Sequence, residues 1–289
     1  MKLRGLIKDR WNEDDDGNVY QPNIAKFKDF IKYDTPYKKV YPEKIISQVF
    51  SNIGIIMDDS LRIGYLSKGS YGHTFKFFHP SKKEWRVLKI TSDKNEFNNS
   101  KFLSGRKIKG VVNIFECYPI KGVISKGSKG NRNSAAGDTL FAIFMEYVNP
   151  ITTSEYNKIR RIVKWYGQNY DEDNLIIKHF STGLETKEWS QVRGMNIWES
   201  PFSYMIRRIG LIRDKIPSKL FETIGYKRSD FYKLIDFVVN TQKRLSRYKI
   251  PTADVHIKNI GKKNGEYKVF DIGVESKNKY KNLDFIEVK

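Results

Sequence analysis

Four groups of residues in this 289-residue chain are suited to phosphate and metal chemistry, and they occur in a fixed order. The first is the run Ser67-Lys68-Gly69-Ser70-Tyr71-Gly72. Glycines in such a turn let backbone N–H groups approach phosphate oxygens with no Cβ in the way; an ordinary hairpin is the other reading of the same letters. The second is Lys89 within Val87-Leu88-Lys89-Ile90. Burying an ammonium in an apolar strand is costly unless it is paired, and the natural partner is Glu96 on the segment that follows, with polyphosphate oxygens as the other contact. Plain alternation, with Leu88 and Ile90 on one face and Lys89 turned to solvent, fits equally. The third is Ala253-Asp254-Val255-His256-Ile257-Lys258-Asn259-Ile260-Gly261. A carboxylate such as Asp254, placed by a substrate hydroxyl, can orient it and accept its proton, and the amide oxygen of Asn259 can coordinate a divalent cation. The fourth is Asp271, which closes the apolar Val269-Phe270 before Ile272-Gly273. A carboxylate there suits Mg²⁺ carrying β- and γ-phosphate oxygens, although either aspartate also fits turn chemistry.

The elements that position these groups follow from periodicity. Leu61–Leu66, His73–His79 and Glu84–Thr91 read as strands. A helix is expected over Asp93–Ser104, with Phe97 and Phe102 among its apolar residues, then strands over Val111–Ile120 and Thr139–Val148. The Gly/Ser/Lys/Asn-rich residues 121–138 between the last two read as a mobile loop. Strand-strand-strand-helix-strand-strand describes a compact, mostly antiparallel sheet with one helix. Beyond Pro150 the pattern turns helical, over Ser154–Trp165, Pro201–Arg213 and Arg228–Tyr248. The last carries Phe231, Leu234, Ile235, Val238, Val239 and Leu245 on one side. Short strands return at Asn259–Gly261 and Tyr267–Asp271. Ahead of the sheet, Asp14-Asp15-Asp16-Gly17 reads as a turn and Glu43–Gly54 as an amphipathic helix, with Ile45, Ile46, Val49, Phe50 and Ile53 on its apolar side. The fold class is therefore α+β, divided into an N-terminal extension (1–59) packing on the domain, a sheet-bearing lobe (60–148) and a helical lobe (149–289).

Composition limits the alternatives. Apolar residues make up 39% and charged residues 30%, the balance of a globular chain rather than a disordered one. The longest apolar run, Leu140–Met145, is far below the ~20 residues of a spanning helix, and Met1-Lys2-Leu3-Arg4-Gly5 lacks the features of a signal peptide. One cysteine, Cys117, rules out a disulfide framework and, with four histidines, a zinc site of cysteine type; a reduced, cytosolic compartment fits. Cys117 reads as a small buried hydrophobe. His73, His79 and His179 read as structural or surface residues, and Trp165, Trp189 and Trp198 as core aromatics. The 53 Lys+Arg against 33 Asp+Glu leave a formal charge of +20, which favours polyanionic partners or reflects a base-biased genome.

Taken together, Lys68-Gly69-Ser70-Tyr71-Gly72, Val87-Leu88-Lys89-Ile90, Glu96, Asp254 with Asn259, and Asp271-Ile272-Gly273 resemble the signature set of the protein-kinase-like phosphotransferase superfamily, in family order. The resemblance covers roughly Arg62–Gly273. Phe144-Met145-Glu146-Tyr147-Val148 is similar to the kinase hinge, which implies Met145 as gatekeeper and main-chain contacts to adenine from Glu146 and Val148. What the resemblance implies is a bilobal protein-kinase-like fold with ATP and Mg²⁺ as cofactors. Gly69, Ser70 and Gly72 would lie over the phosphates, and Lys89, paired with Glu96, would hold the α/β-phosphates. Asn259 and Asp271 would hold the metal, and Asp254 would act as catalytic base.

Departures from the pattern shape the expectation. Ser67 stands where the first glycine of the loop belongs. Thr252-Ala253 replaces the His-Arg before the catalytic aspartate, so control through a phosphorylated activation loop is not expected. His256 replaces a lysine at Asp+2, which makes Asp-x-His-x-x-Asn similar to aminoglycoside and choline phosphotransferases as well. Sixteen residues follow Gly273, too few for the Ala-Pro-Glu segment and later peptide-docking helices, as in small atypical kinases of the RIO type. The expected function is a protein serine/threonine kinase acting on an acidic or nucleic-acid-associated protein, with nucleic acid a further partner of the basic surface and no membrane association. The alternatives are a small-molecule kinase, or a non-catalytic kinase-like protein that binds nucleic acid or a structural assembly. The compact, lysine-rich form is similar to kinase-like proteins of bacteriophages, which implies the host cytoplasm or the virion.

Overall fold

The computed structural model describes residues 25–26, 43–58, 60–68, 72–124, 139–170, 200–250 and 255–272. The Asp14–Gly17 turn, Gly69, Ser70, most of the 121–138 loop, His179, Trp189, Trp198, Asp254 and Gly273 lie outside the described residues. The chain is α+β and forms two compact units, Met1–Tyr156 with Gly261–Phe270, and Asn157–Ile260 with Asp271–Lys289. Among the described residues no helix is long and apolar enough to cross a membrane.

In the first unit, β1 (Ala25–Lys26), β2 (Arg62–Lys68), β3 (Gly72–His79), β4 (Glu84–Thr91), β5 (Ile114–Ile124) and β6 (Thr139–Glu146) make one antiparallel sheet in the order β1-β2-β3-β4-β6-β5. The chain order from β2 is the expected one, three strands, a helix and two strands. Alternation gives the sheet two different faces. On one, Ile63, Phe75, Phe77, Leu88, Ile90, Ala142 and Phe144 are sealed from solvent. The amphipathic helix α1 (Glu43–Asn52) packs on that face through Ile46, Val49 and Phe50. Phe50 meets Phe77 and Phe144 edge-on at 5.0 and 6.2 Å, an arrangement the ring quadrupoles favour. The apolar side read from residues 43–54 is thus the side that seals the sheet.

Two boundaries differ from the sequence reading for a physical reason. Residues 111–112 were expected to open β5; instead Val111 bridges Val269 in parallel, and the Val112 N–H donates to the Val269 carbonyl at 3.0 Å. A backbone already bonded to a distant strand does not join the local ladder. β5 continues instead to Ile124, and its Pro119 is tolerated because β5 is an edge strand. The last strands are β8 (Ile260–Lys263) and β9 (Glu266–Val269), which with β7 (Asn149–Pro150) form a second small sheet. They turn at Asn264-Gly265, both at positive φ (51° and 79°), the geometry a two-residue hairpin needs. Asp271 therefore lies just beyond β9 rather than ending it. Cys117 is half-buried rather than enclosed, and burial still raises its thiol pKa.

The second unit contains most of α3 (Thr153–Tyr170), then α4 (Pro201–Leu211), α5 (Ser218–Ile224) and α6 (Arg228–Arg247). The expected apolar side of α6 is buried at Phe231, Leu234, Ile235, Val238 and Leu245, with Val239 half-buried. Thr241 joins that buried stripe, a polar residue that apolar periodicity passes over. Gly210 lets α4 approach α6 closely, since a Cβ there would meet Ile235 Cγ2 at 2.8 Å. The sequence reading missed α5. It has only seven residues, and its end is set by Gly225 in the left-handed region (φ 64°).

Candidate functional site

Lys89 sits on β4 inside the sheet, opposite Thr74 of β3 and Ile143 of β6. Its neighbours Leu88 and Ile90 point into the sealed core, so alternation sends Lys89 to the other face. That face is not open solvent. Helix α2 (Lys94–Leu103) lies there, held by Phe97 stacked on Phe141 with ring centroids 4.2 Å apart. Asp93 caps α2, accepting the N–H groups of Asn95 at 2.8 Å and Glu96 at 3.2 Å, while the Asp93 N–H donates to Thr91 Oγ1 at 3.1 Å. This cap fixes the first helical turn beside the end of β4 and so fixes Glu96. Lys89 Nζ pairs with Glu96 Oε1, and the two side chains are only 12% and 5% exposed. Of the two sequence readings of Lys89, the buried, paired one holds.

Gly72 opens β3 opposite Thr91, and a Cβ on it would lie 2.0 Å from the Ile90 carbonyl oxygen. No side chain fits that approach. Close packing of β3 on β4 is by itself a sufficient reason for glycine here, beside any role towards phosphate.

Glu146, at the end of β6, is a buried carboxylate. Its Oε1 pairs with Lys263 Nζ at 2.8 Å and its Oε2 with Lys268 Nζ at 2.6 Å; the Asn113 N–H donates to Oε2 at 3.2 Å. Burial alone would raise this carboxyl, but the hydrogen bonds from Lys263, Lys268 and Asn113 outweigh it and hold the pKa below the usual carboxylate range. The Glu146 N–H is committed to the Asn113 carbonyl at 2.9 Å, so it is not the main-chain group of Glu146 that is open to a ligand. Val148 is buried, packed where a Cβ on Gly261 would meet its Cγ2 at 2.7 Å. The side chain of Glu146 thus anchors the β8–β9 hairpin to the sheet. Glu155 reinforces the anchor, accepting two hydrogen bonds at 2.8 Å from Lys262 Nζ and one at 2.9 Å from Tyr267 OH.

In the second unit, the segment just after Asp254 is tied to the start of α4. The Val255 carbonyl accepts the hydroxyls of Ser200 at 2.5 Å and Ser203 at 2.7 Å, both serines sealed from solvent at the start of α4. Ser200 also caps α4, accepting the Ser203 N–H at 3.1 Å. Val255, Ile257 and Ile260 are buried. Between them His256 starts a single 3-10 turn, its Nδ1 accepting the Lys258 N–H at 3.3 Å and its carbonyl the Asn259 N–H at 2.9 Å. Asn259 precedes β8 and Asp271 follows β9. Because β8 and β9 are neighbours joined by a two-residue turn, Asn259 and Asp271 stand at the same end of that hairpin. Both are partly exposed. Their donors are an amide and a carboxylate oxygen. Among the described residues no group of three or more His, Cys, Asp or Glu could hold a metal. An amide and a carboxylate oxygen are donor types that suit a hard cation such as Mg²⁺.

Sequence reasoning missed two features of these regions. Ser200 and Ser203 had no signal beyond a Ser-Pro helix start. Lys76 lies on the same sheet face as Lys89, two residues from its cross-strand partner Thr74. It is 5% exposed, with Nζ 3.9 Å from the Tyr147 ring centroid and 4.8 Å from that of Trp85, and burial lowers its pKa. The ring cage around Lys76 needs neighbours from other segments, Trp85 of β4 and Tyr147. No protein-family profile matches this chain, and no curated protein matches it in sequence.

Proposed function

We propose that this protein is an ATP- and Mg²⁺-dependent phosphotransferase with a bilobal, protein-kinase-like organisation, and that its acceptor is a serine or threonine hydroxyl of another protein. The observation that carries the reading is the buried Lys89–Glu96 pair. An internal strand and a capped helix hold an ammonium in place with a carboxylate behind it, the arrangement needed to grip polyphosphate oxygens. The antiparallel sheet with a helix between its third and fourth long strands supports the same reading, as do Asn259 and Asp271 at one end of a hairpin.

Magnesium nucleotide, when bound, supplies a γ-phosphoryl group whose charge is partly neutralised. Lys89 holds the α- and β-phosphate oxygens, and Glu96 keeps the ammonium oriented between turnovers. Asn259 and Asp271 are the residues that would hold the metal. Asp254 accepts the hydrogen bond of the acceptor hydroxyl and takes its proton at a carboxylate oxygen. Ser200 and Ser203 grip the carbonyl of buried Val255, and positioning is most of what phosphoryl transfer asks of a protein. The net charge of +20 suits an acidic or nucleic-acid-associated target.

The test uses purified wild type and Asp271→Ala with Mg²⁺, γ-labelled ATP and a mixed acidic protein substrate. Label on the protein or the substrate that disappears in the variant supports the proposal. ATP consumption by the wild type alone, driven by aminoglycosides or choline with no protein labelled, moves the acceptor to a small molecule. No turnover, together with no rise in melting temperature on adding ATP, refutes the phosphotransfer reading.

A further inference from the structure

The positive charge of this chain is not spread evenly over its helices. Helix α3 buries Ile159, Ile162, Val163, Tyr166 and Gly167. On the opposite side Asn157, Arg160, Arg161, Lys164 and Gln168 are exposed. At about 100° per residue these five fall within one continuous stripe about 17 Å long. Trp165, half-buried, borders it one turn beyond Arg161.

Three observations set the stripe apart from ordinary surface lysines. Residues 157–170 contain no Asp or Glu. Among the described residues, no carboxylate pairs with Arg160, Arg161 or Lys164, whereas exposed Arg213 and Lys233 have Asp236 and Asp230 within 4 Å. Like charges one turn apart on a helix also repel, and these cations lie mid-helix, where the last-turn carbonyls do not offset that repulsion. The basic cluster on α6 differs on that last point. Arg244 and Arg247 occupy the last turn, where the helix dipole favours cations, so that cluster has a structural explanation and the α3 stripe has none.

We infer that the α3 stripe is a binding surface for single-stranded nucleic acid. Arg160, Arg161 and Lys164 would contact successive phosphates, Asn157 and Gln168 would donate amide hydrogens to phosphate or base edges, and Trp165 would offer an aromatic edge beside them. A basic track bordered by an aromatic is how sequence-tolerant single-strand binding is built. An acidic protein surface would be served by the cations alone and gives no role to the flanking amides and indole. This inference does not rest on the phosphotransfer reading.

The test measures fluorescence anisotropy of a labelled oligothymidylate of about 20 nucleotides with the full-length protein over a range of salt concentrations. Wild type is compared with Arg160→Ser/Arg161→Ser/Lys164→Ser and with a control of equal charge loss, Lys243→Ser/Arg247→Ser/Lys249→Ser. The stripe variant is expected to bind at least about tenfold more weakly, with a salt slope shallower by about 2, at ~0.7 for each phosphate left without its cation. The control is expected to stay within about twofold of wild type. Trp165→Leu is expected to weaken binding while leaving the salt slope unchanged, and circular dichroism verifies that every variant is folded. Equal losses in the stripe and control variants would mean that net charge alone acts, and would overturn the inference. So would absence of binding by the wild type, or displacement of the oligonucleotide by polyglutamate as effective, per charge, as displacement by unlabelled oligonucleotide. Phosphotransfer by the stripe variant serves as an independent readout and is expected to match wild type.

Discussion

Replacing Glu96 by Gln keeps the shape of the side chain and removes its charge, leaving the Lys89 ammonium on a face where it is only 12% exposed. Breaking a buried pair by removing one partner costs about 3–5 kcal/mol, whereas replacing both by apolar groups of similar volume is often neutral. With a urea dependence of about 3 kcal/mol per molar, Glu96→Gln should lower the unfolding midpoint by about 1–1.7 M. With the single variant Lys89→Met closing the cycle, the double variant Lys89→Met/Glu96→Gln should recover most of that loss, giving a coupling energy of at least about 2 kcal/mol in a double-mutant cycle. Far-ultraviolet circular dichroism in urea reads all four proteins. Nucleotide-induced stabilisation, measured as a shift in melting temperature with ATP and Mg²⁺, should vanish in both Lys89 variants even where stability has returned. A midpoint shift in Glu96→Gln below about 0.3 M, or a double variant that loses the sum of the two single losses, would refute the claim that this is a buried, coupled pair. Recovered stability with undiminished ATP stabilisation would instead show that the pair serves the fold alone.

Three further outcomes follow from particular side chains. Because the Glu146 carboxyl is held below its unfolded-state value, its contribution to stability is complete above a pH of about 4.3 and is lost as pH falls through the folded value; Glu146→Gln should flatten the acid limb of stability against pH, and an unchanged limb would contradict the assignment. Among the described residues, Thr241 Oγ1 is buried in α6 with no hydrogen-bond partner, so Thr241→Val should stabilise the protein by about 1 kcal/mol in urea titrations. Removing both donors to the Val255 carbonyl with Ser200→Ala/Ser203→Ala should cost about 1–3 kcal/mol. It should also reduce phosphotransfer at temperatures where the variant remains folded, measured by labelled-phosphate transfer beside a melting curve.

Much of the architecture was legible in the sequence because it rests on local periodicity. Glu84–Thr91 matches its expected span, and the helix expected over Asp93–Ser104 runs from Lys94 to Leu103 with Asp93 and Ser104 as its caps. Alternation in β3, β4 and β6 and the 3.6-residue period of α1 and α6 assign the buried sides, since each needs only the spacing of apolar side chains along one segment. The same alternation could not decide between a solvated and a paired Lys89. That depended on a helix covering the second face of the sheet, and on a cap at Asp93 that aims Glu96 at the strand. The anchoring of Glu146 by Lys263 and Lys268, and the gripping of the Val255 carbonyl by Ser200 and Ser203, join residues more than 50 positions apart. So does the diversion of Val111–Val112 from β5 to β9. No local pattern encodes such pairings, because a lysine or a serine reads the same whether it faces water or a buried acceptor. The residue types that can do chemistry are written along the chain; their partners, and the burial that gives those partnerships their strength, come from segments that only the folded structure brings within reach.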